Sequence, residues 1–209
     1  MSKFKRRLGI FNTYFQVYAI IGAFLITIVG HFVLYYRLQP KANETISIFI
    51  QRKEMNDRYN FRSLMINKVK SQGLRKLNVY DFNGDDADFY EHYTQYAKIS
   101  EFIVLSKEHI EQLGSSAYSN FLPYNVYENM PFLQKVEPEE YLMSGNDKVG
   151  LCVFSKTIDN RYDFSKFATF KYESYLLINK NTVHYNSETN RLNSMADWFL
   201  RELLSSLLE

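Results

Sequence analysis

Between Leu8 and Tyr36 the chain carries no charged residue, and its centre, Val17 to Leu34, reads VYAIIGAFLITIVGHFVL. A helix rising about 1.5 Å per residue crosses a hydrocarbon core of about 30 Å in about 20 residues. Within lipid a helix satisfies its own backbone hydrogen bonds, so a run of this length predicts a transmembrane helix. Its apolar anchor is Val17, Ile20, Ile21, Phe24, Leu25, Ile28, Val29 and Phe32, with Tyr14, Tyr18, Tyr35 and Tyr36 at the two interfaces. Gly22 and Gly30 stand eight apart and do not make the four-residue spacing of a helix-dimer motif. His31, near the outer end, reads as a neutral imidazole reaching toward the headgroups.

The formal net charge of +2 hides a division along the chain. Lys3, Lys5, Arg6, Arg7, Arg37 and Lys41 all precede the first acidic residue, Glu44, which leaves 19 of 25 basic residues against 23 acidic ones and a charge of about −4 for residues 44–209. The basic cluster next to the span places the N-terminus in the cytoplasm and residues 44–209 outside. That acidic balance also argues against nucleic acid as a partner. A cleaved signal peptide shares the basic start and apolar run. Against it stand the length of the run, the absence of a small-x-small pattern in Arg37 to Asn43, and the absence of a following Cys to lipidate. The expected organisation is a basic tail at 1–8, a transmembrane helix at 9–36, a linker at 37–44 and an extracytoplasmic domain at 45–209.

A hydrophobic share of 46%, with 17 Tyr and 17 Phe, is far from the composition of a disordered chain. The single Cys152 excludes an internal disulfide framework and multi-cysteine zinc sites. Ile46 to Ile50 is a β-branched apolar run of strand length. Glu54 to Gln72 carries Phe61, Leu64, Met65 and Val69 at helical spacing and closes at Gly73. A second strand follows at Leu77 to Tyr80, a helix at Asp86 to Lys98 capped by Asp85 or Asp86, and a third strand at Phe102 to Leu105. Ser106 caps a short helix, Lys107 to Leu113, that ends at Gly114. Val149 to Phe154 and Tyr172 to Ile178 are further strands, and Leu192 to Leu208 is an amphipathic helix; Ser115 to Asn146 shows no defined element. Strands alternating with helices predict a three-layer α/β domain with a mainly parallel sheet after one N-terminal transmembrane helix.

In open sheets of this kind ligands sit outside the carboxyl ends of the strands. The predicted lip comprises residues 51–54, 81–86, 106–109 and 155–159, and the candidate ligand or partner residues on it are Gln51, Asp81, Asn83, Asp85, Ser106, Lys107, Ser155 and Asp159.

The loop Asp81 to Asp88 resembles a calcium loop but has Asp86 where the sharp turn needs Gly and His92 where the last ligand needs Glu. No metal or cofactor is expected. His92, His109 and His184 lack metal-ligand spacing and read as surface or lip residues, and Cys152, inside an apolar strand, reads as a buried inert thiol. The chain lacks a nucleophile elbow, a Walker loop and a dinucleotide glycine fingerprint, so no catalytic residue is assigned. Eight tyrosines between Tyr80 and Tyr141 offer rings for a sugar or protein contact, and Trp198 reads as a core or half-buried anchor.

Ser100 to Leu113, followed by Phe121-Leu122-Pro123-Tyr124, resembles the third strand and following helix of the extracellular solute-binding proteins of ABC importers. Tyr175 to Lys180, leading into the helix around Ala196 to Leu204, is similar to the return of the chain to the first lobe in that family. Its members carry a second lobe that closes over the ligand, and residues 45–209 leave no room for one. The resemblance implies a lone lobe tethered by a helix, which partners a transporter permease or another envelope membrane protein. Two other functions remain open at this stage. One is a membrane-anchored cell-envelope hydrolase using Asp81, Asp85 and Asp159 as acid and base; the other is a structural or sensory protein assembled through its transmembrane helix.

Overall fold

The computed structural model describes residues 3–208 except 56–57, 129, 132, 134 and 159. It divides into two units, Met1–Pro40 and Lys41–Glu209.

The first unit is a single helix, α1 (Lys3–Leu38). Its stretch Tyr14–Leu38 has a mean hydropathy of 2.3 over 25 residues. At about 1.5 Å per residue that stretch exceeds the about 30 Å hydrocarbon core, so it is long and apolar enough to cross a membrane. Most of the anchor side chains are exposed: Ile20 is 70% exposed and Phe24 66%. The Thr27 hydroxyl donates to the Ala23 carbonyl at 2.9 Å, which hides the one side-chain hydroxyl of the apolar centre apart from the Tyr18 phenol.

The second unit is the α/β domain. Its elements are β1 (Thr45–Arg52), β2 (Glu54–Met55), α2 (Arg58–Val69), β3 (Lys76–Asn83), α3 (Phe89–Tyr96), β4 (Phe102–Ser106) and α4 (Lys107–Gln112). They continue with β5 (Tyr141–Ser144), β6 (Asp147–Phe154), β7 (Ala168–Thr169), β8 (Ser174–Ile178), β9 (Tyr185–Asn186), β10 (Arg191–Leu192) and α5 (Ser194–Leu208). Six strands form one sheet in the order β3-β1-β4-β8-β6-β5. The half β3-β1-β4 is parallel, and β8, β6 and β5 continue it with antiparallel pairings.

Alternation along β1 sends Ile46, Ile48 and Ile50 to one face, where Phe61 and Met65 of α2 and Phe199 and Leu203 of α5 cover them. Phe49 points the other way, into a layer with Phe89 of α3 and Ile110 of α4. The domain is thus three-layered. The connection β1-α2-β3 runs over one face, and β3-α3-β4 returns over the other to the opposite side of β1. The carboxyl ends of β1 and β4 therefore flank a topological switch point, where a crevice opens in sheets of this type.

Some expected boundaries shift. The helix predicted from Glu54 starts at Arg58, because residues 54–55 pair with Thr169 and Ala168 in a small antiparallel bridge. Leu64 is 37% exposed and lies off the buried stripe of Phe61, Met65 and Val69. Neither Asp85 nor Asp86 caps α3: Asp86 accepts from Asn83 within the turn, and Asp85 accepts from Lys171. Leu192 belongs to β10, and Asn193 caps α5 through the Ala196 amide at 3.0 Å. The stretch without a predicted element, Ser115 to Asn146, contains 3-10 turns and β5. Its tyrosines serve the core: Tyr124 and Tyr127 are fully enclosed, and the Tyr124 hydroxyl donates to the Leu176 carbonyl at 3.1 Å. Tyr80 and Tyr96 instead stack at 4.6 Å over the edge strand β3.

Phe199 is fully buried and stacks on Phe102 at a ring separation of 5.1 Å. Phe199→Ala is expected to cost about 3–5 kcal/mol, the range for truncating a buried aromatic, in denaturant unfolding of the detergent-solubilised chain. Trp198→Ala, on the 43% exposed neighbouring residue, is expected to cost much less.

Candidate functional site

The switch-point crevice is lined from three directions: Gln51, Arg52 and Lys53 at the end of β1, the Asn83–Asp85 turn after β3, and Ser106 at the end of β4. Phe170, Lys171 and Tyr172, from the segment joining β6 to β8, and Ser174 at the start of β8 close its remaining side. Four of the predicted residues, Gln51, Asn83, Asp85 and Ser106, thus meet at one place.

Gln51 organises the floor. Its Oε1 accepts from the Ser106 amide at 2.9 Å, and its Nε2 lies 2.8 Å from His109 Nδ1. An amide NH₂ only donates, so Nδ1 accepts and the ring proton sits on Nε2. The Ser106 hydroxyl also lies 2.8 Å from Nδ1, and it accepts from the His109 amide at 3.3 Å as the cap of α4. The Phe89 and Tyr90 rings flank the imidazole at 4.7 and 5.5 Å. Burial lowers the pKa of His109, because desolvation disfavours the imidazolium, and the negative charges of Glu108 and Asp85 oppose that shift.

Gly84 makes this floor possible. A Cβ at that position would stand 2.1 Å from Gln51 Nε2, so only glycine lets the turn approach the amide.

Charged groups surround the crevice in pairs. Arg52 Nε donates to Asp81 Oδ2 at 2.8 Å, and a second guanidinium nitrogen reaches the same oxygen. Lys171 Nζ donates to Asp85 Oδ2 at 2.8 Å across the mouth, and that bond holds the ammonium pKa above its ordinary value. The strap carrying Lys171 is pinned further where the Lys53 amide donates to the Thr169 carbonyl at 2.8 Å. The space left inside is about 10 Å³, room for about one water molecule.

The remaining predicted residues fall elsewhere. Asp81 stands behind the crevice as the partner of Arg52. Lys107 turns away toward Glu173, at 3.7 Å. Ser155 closes a local turn by accepting from the Thr157 and Ile158 amides at 3.1 and 3.0 Å. Asp159 lies outside the described residues. Acid–base hydrolysis needs two carboxylates free to reach a substrate, whereas Asp81 and Asp85 are both committed to cations. Ser106 and His109 are within nucleophile–base distance, but Ser106 is 1% exposed and serves as a helix cap. The floor is thus a cluster of mutually hydrogen-bonded polar groups.

His184, expected at the surface or lip, is fully buried at the other end of the sheet. Its Nε2 donates to the Thr45 carbonyl at 2.8 Å, and its Nδ1 accepts from Asn193 Nδ2 at 2.7 Å. Beside it Glu101 accepts from the Ser47 amide at 2.6 Å, and burial raises the pKa of its carboxyl. His92 stacks on Phe82 at 4.1 Å and reaches Asp88 at 3.0 Å. Cys152 is enclosed, and burial pushes its thiol up to about 12, which keeps it protonated. Among the described residues no three His, Cys, Asp or Glu side chains gather closely enough to hold a metal ion.

Sequence patterning placed Gly84 in the lip at 81–86 without a role of its own and missed the Phe170–Tyr172 strap. The Asn83-Gly84 pair signals a turn, yet nothing local signals that Gln51, in another strand, lies against it.

No family model matches the chain, and neither the curated proteins nor the solved structures contain a match.

Gly84→Ala is expected to expel the Gln51 amide from its seat and cost about 1–3 kcal/mol, the range for overpacking. Gln51→Ala should remove most of that added cost, so unfolding free energies of the two single variants and the double variant should be strongly non-additive. The pH response of His109 has a defined sign. The unfolded side chain gains its proton near 6.5 and the folded one only at lower pH. Its contribution to stability is therefore present above pH 6.5 and is lost as pH falls through the folded value. Thermal unfolding should show a decline in Tm below pH 6.5 that His109→Gln flattens. Glu101, with a raised pKa, contributes stability at low pH that is lost as pH rises, so the comparison of variant with parent isolates His109.

Proposed function

We propose that this is a single-pass membrane protein with its N-terminus inside, whose extracytoplasmic α/β domain is a non-enzymatic binding or accessory module for a transporter or another envelope membrane protein. The observation that carries this proposal is the switch-point crevice, assembled from three strands and filled by the protein's own strap. A free solute would find only about 10 Å³ there. What the crevice offers outward is its rim: Lys53 and Lys171 exposed, Arg52 partly so, and the Tyr172 ring beneath the Lys171 ammonium at 4.9 Å. Charged side chains around an aromatic anchor are what a protein partner meets.

Three further points support the proposal. The basic residues at 3, 5, 6 and 7 precede the apolar helix, which favours an N-in orientation. Ser100 to Leu113, the stretch similar to solute-binding proteins, supplies β4 and the capped helix at the switch point. Tyr175 to Ile178, similar to the return of the chain in that family, runs between β4 and β6.

Orientation is tested with a new cysteine, Glu188→Cys, because the buried Cys152 gives little background. A membrane-impermeant maleimide should label it in intact cells, and labelling only after permeabilisation overturns the orientation. The partner is tested with a photo-crosslinking residue at Tyr172 in the full-length protein in its own membranes, and at Glu188 as control. The expected result is a discrete adduct with an integral membrane protein from Tyr172 and none from Glu188. The absence of a Tyr172 adduct, or equal adducts from both sites, counts against the proposal.

A further inference from the structure

On the α3 side of the sheet, away from the crevice, lies a second and larger opening. Its volume is about 480 Å³, within the about 300–1,000 Å³ of small-molecule sites. Ile103 of β4 and Phe121 form the floor, and Tyr93, Ala97, Leu113 and Ala117 form the walls. Its lining is predominantly apolar. Helices α3 and α4 meet through Phe89, Tyr90, His109 and Gln112, and the opening lies between the 3-10 turns that follow them, Ala97–Ile99 and Ser115–Asn120.

The polar groups lie on its border. Asn179 is spent on structure: its amide donates to the Ala97, Lys98 and Ser100 carbonyls at 3.0–3.3 Å. Asn181 donates to Asn120 Oδ1 at 3.1 Å, which leaves the Asn120 NH₂ without a protein acceptor among the described residues. Lys98 is exposed and has no carboxylate within ion-pair distance among the described residues. Both groups donate, and one carries a full positive charge.

Lys98 and Asn181 also line a neighbouring cleft of about 300 Å³, together with Ser47, Tyr80, Glu101 and Thr182. Within it the Thr182 hydroxyl oxygen is buried and has no hydrogen-bond partner. A buried hydroxyl left unpaired costs free energy. An apolar chamber thus adjoins a polar one, with a lone cation at their junction.

We propose that this double cleft binds an anionic amphiphile, a molecule with a single acyl chain and a carboxylate or phosphate head. The chain lies between Ile103 and Phe121, where its burial supplies the main driving force. The head meets Lys98 Nζ and the Asn120 amide, with the Thr182 hydroxyl within the adjoining cleft. A neutral head of the same length forfeits the ion pair, and an amphiphile with a cationic head meets repulsion from Lys98.

The test uses the full-length protein in lipid nanodiscs, photolabelled with a diazirine-bearing decanoate and mapped by mass spectrometry. Adducts are expected within 93–121, reduced by excess decanoate and not by decanol. Competition by decyl phosphate as strong as by decanoate identifies a phosphate-headed lipid as the source, and competition by decanoate alone identifies a free fatty acid. Ala117→Trp fills the chamber and should abolish labelling. Lys98→Glu, a surface change that spares the fold, should weaken labelling about fivefold or more, the scale of one exposed charge contact. The proposal fails if decanol competes as well as decanoate, if adducts fall outside 93–121, or if labelling survives both substitutions.

Discussion

Strand β1 is buried on both faces and hydrogen-bonded along both edges, and the rest of the domain is arranged around that constraint. A strand in this position must be apolar on both sides, which is why Ile46, Ile48 and Ile50 alternate with Phe49 and why helices are needed on both faces of the sheet. Its eight-residue parallel register with β3, from Thr45 opposite Lys76 to Arg52 opposite Asn83, carries both chain ends to the same side. There Gln51 and Arg52 meet the turn after β3.

The two polar residues that β1 directs into the α3 layer mark the two ends of the sheet. Ser47 receives the buried Glu101 at one end, and Gln51 ties Ser106 and His109 together at the other. Buried polar groups of this kind are costly unless each is paired, and both are paired. The histidines divide between the two ends. His184 is locked between Thr45 and Asn193 as structure, whereas His109 sits at a rim beside exposed charge.

The strap between β6 and β8 gives the crevice its character. By filling the switch point it converts a place where sheets of this class admit ligands into a surface of charged side chains around Tyr172. A larger open volume lies elsewhere, between the 3-10 turns that follow α3 and α4.

Periodicity and composition alone determined the apolar helix, the strands at 46–50, 77–80, 102–105 and 149–154, the helix near the C-terminus and the cap at Ser106. All of these rest on local properties: the run of uncharged residues, spacing along one element, and turn chemistry. The tertiary structure decided what depends on contacts between distant segments. Leu64 faces outward while Phe61 and Met65 face in, because α5 lies to one side of α2. His184 is core because the Thr45 carbonyl, 139 positions earlier, reaches it. Gly84 is required because Gln51, 33 positions earlier, occupies the space a Cβ would take. The strap lies over the crevice because β2 and β7 pair across more than a hundred residues. Hydrophobic period is a property of one element, whereas register, occlusion and pairing are properties of two elements brought together, and only folding brings them together.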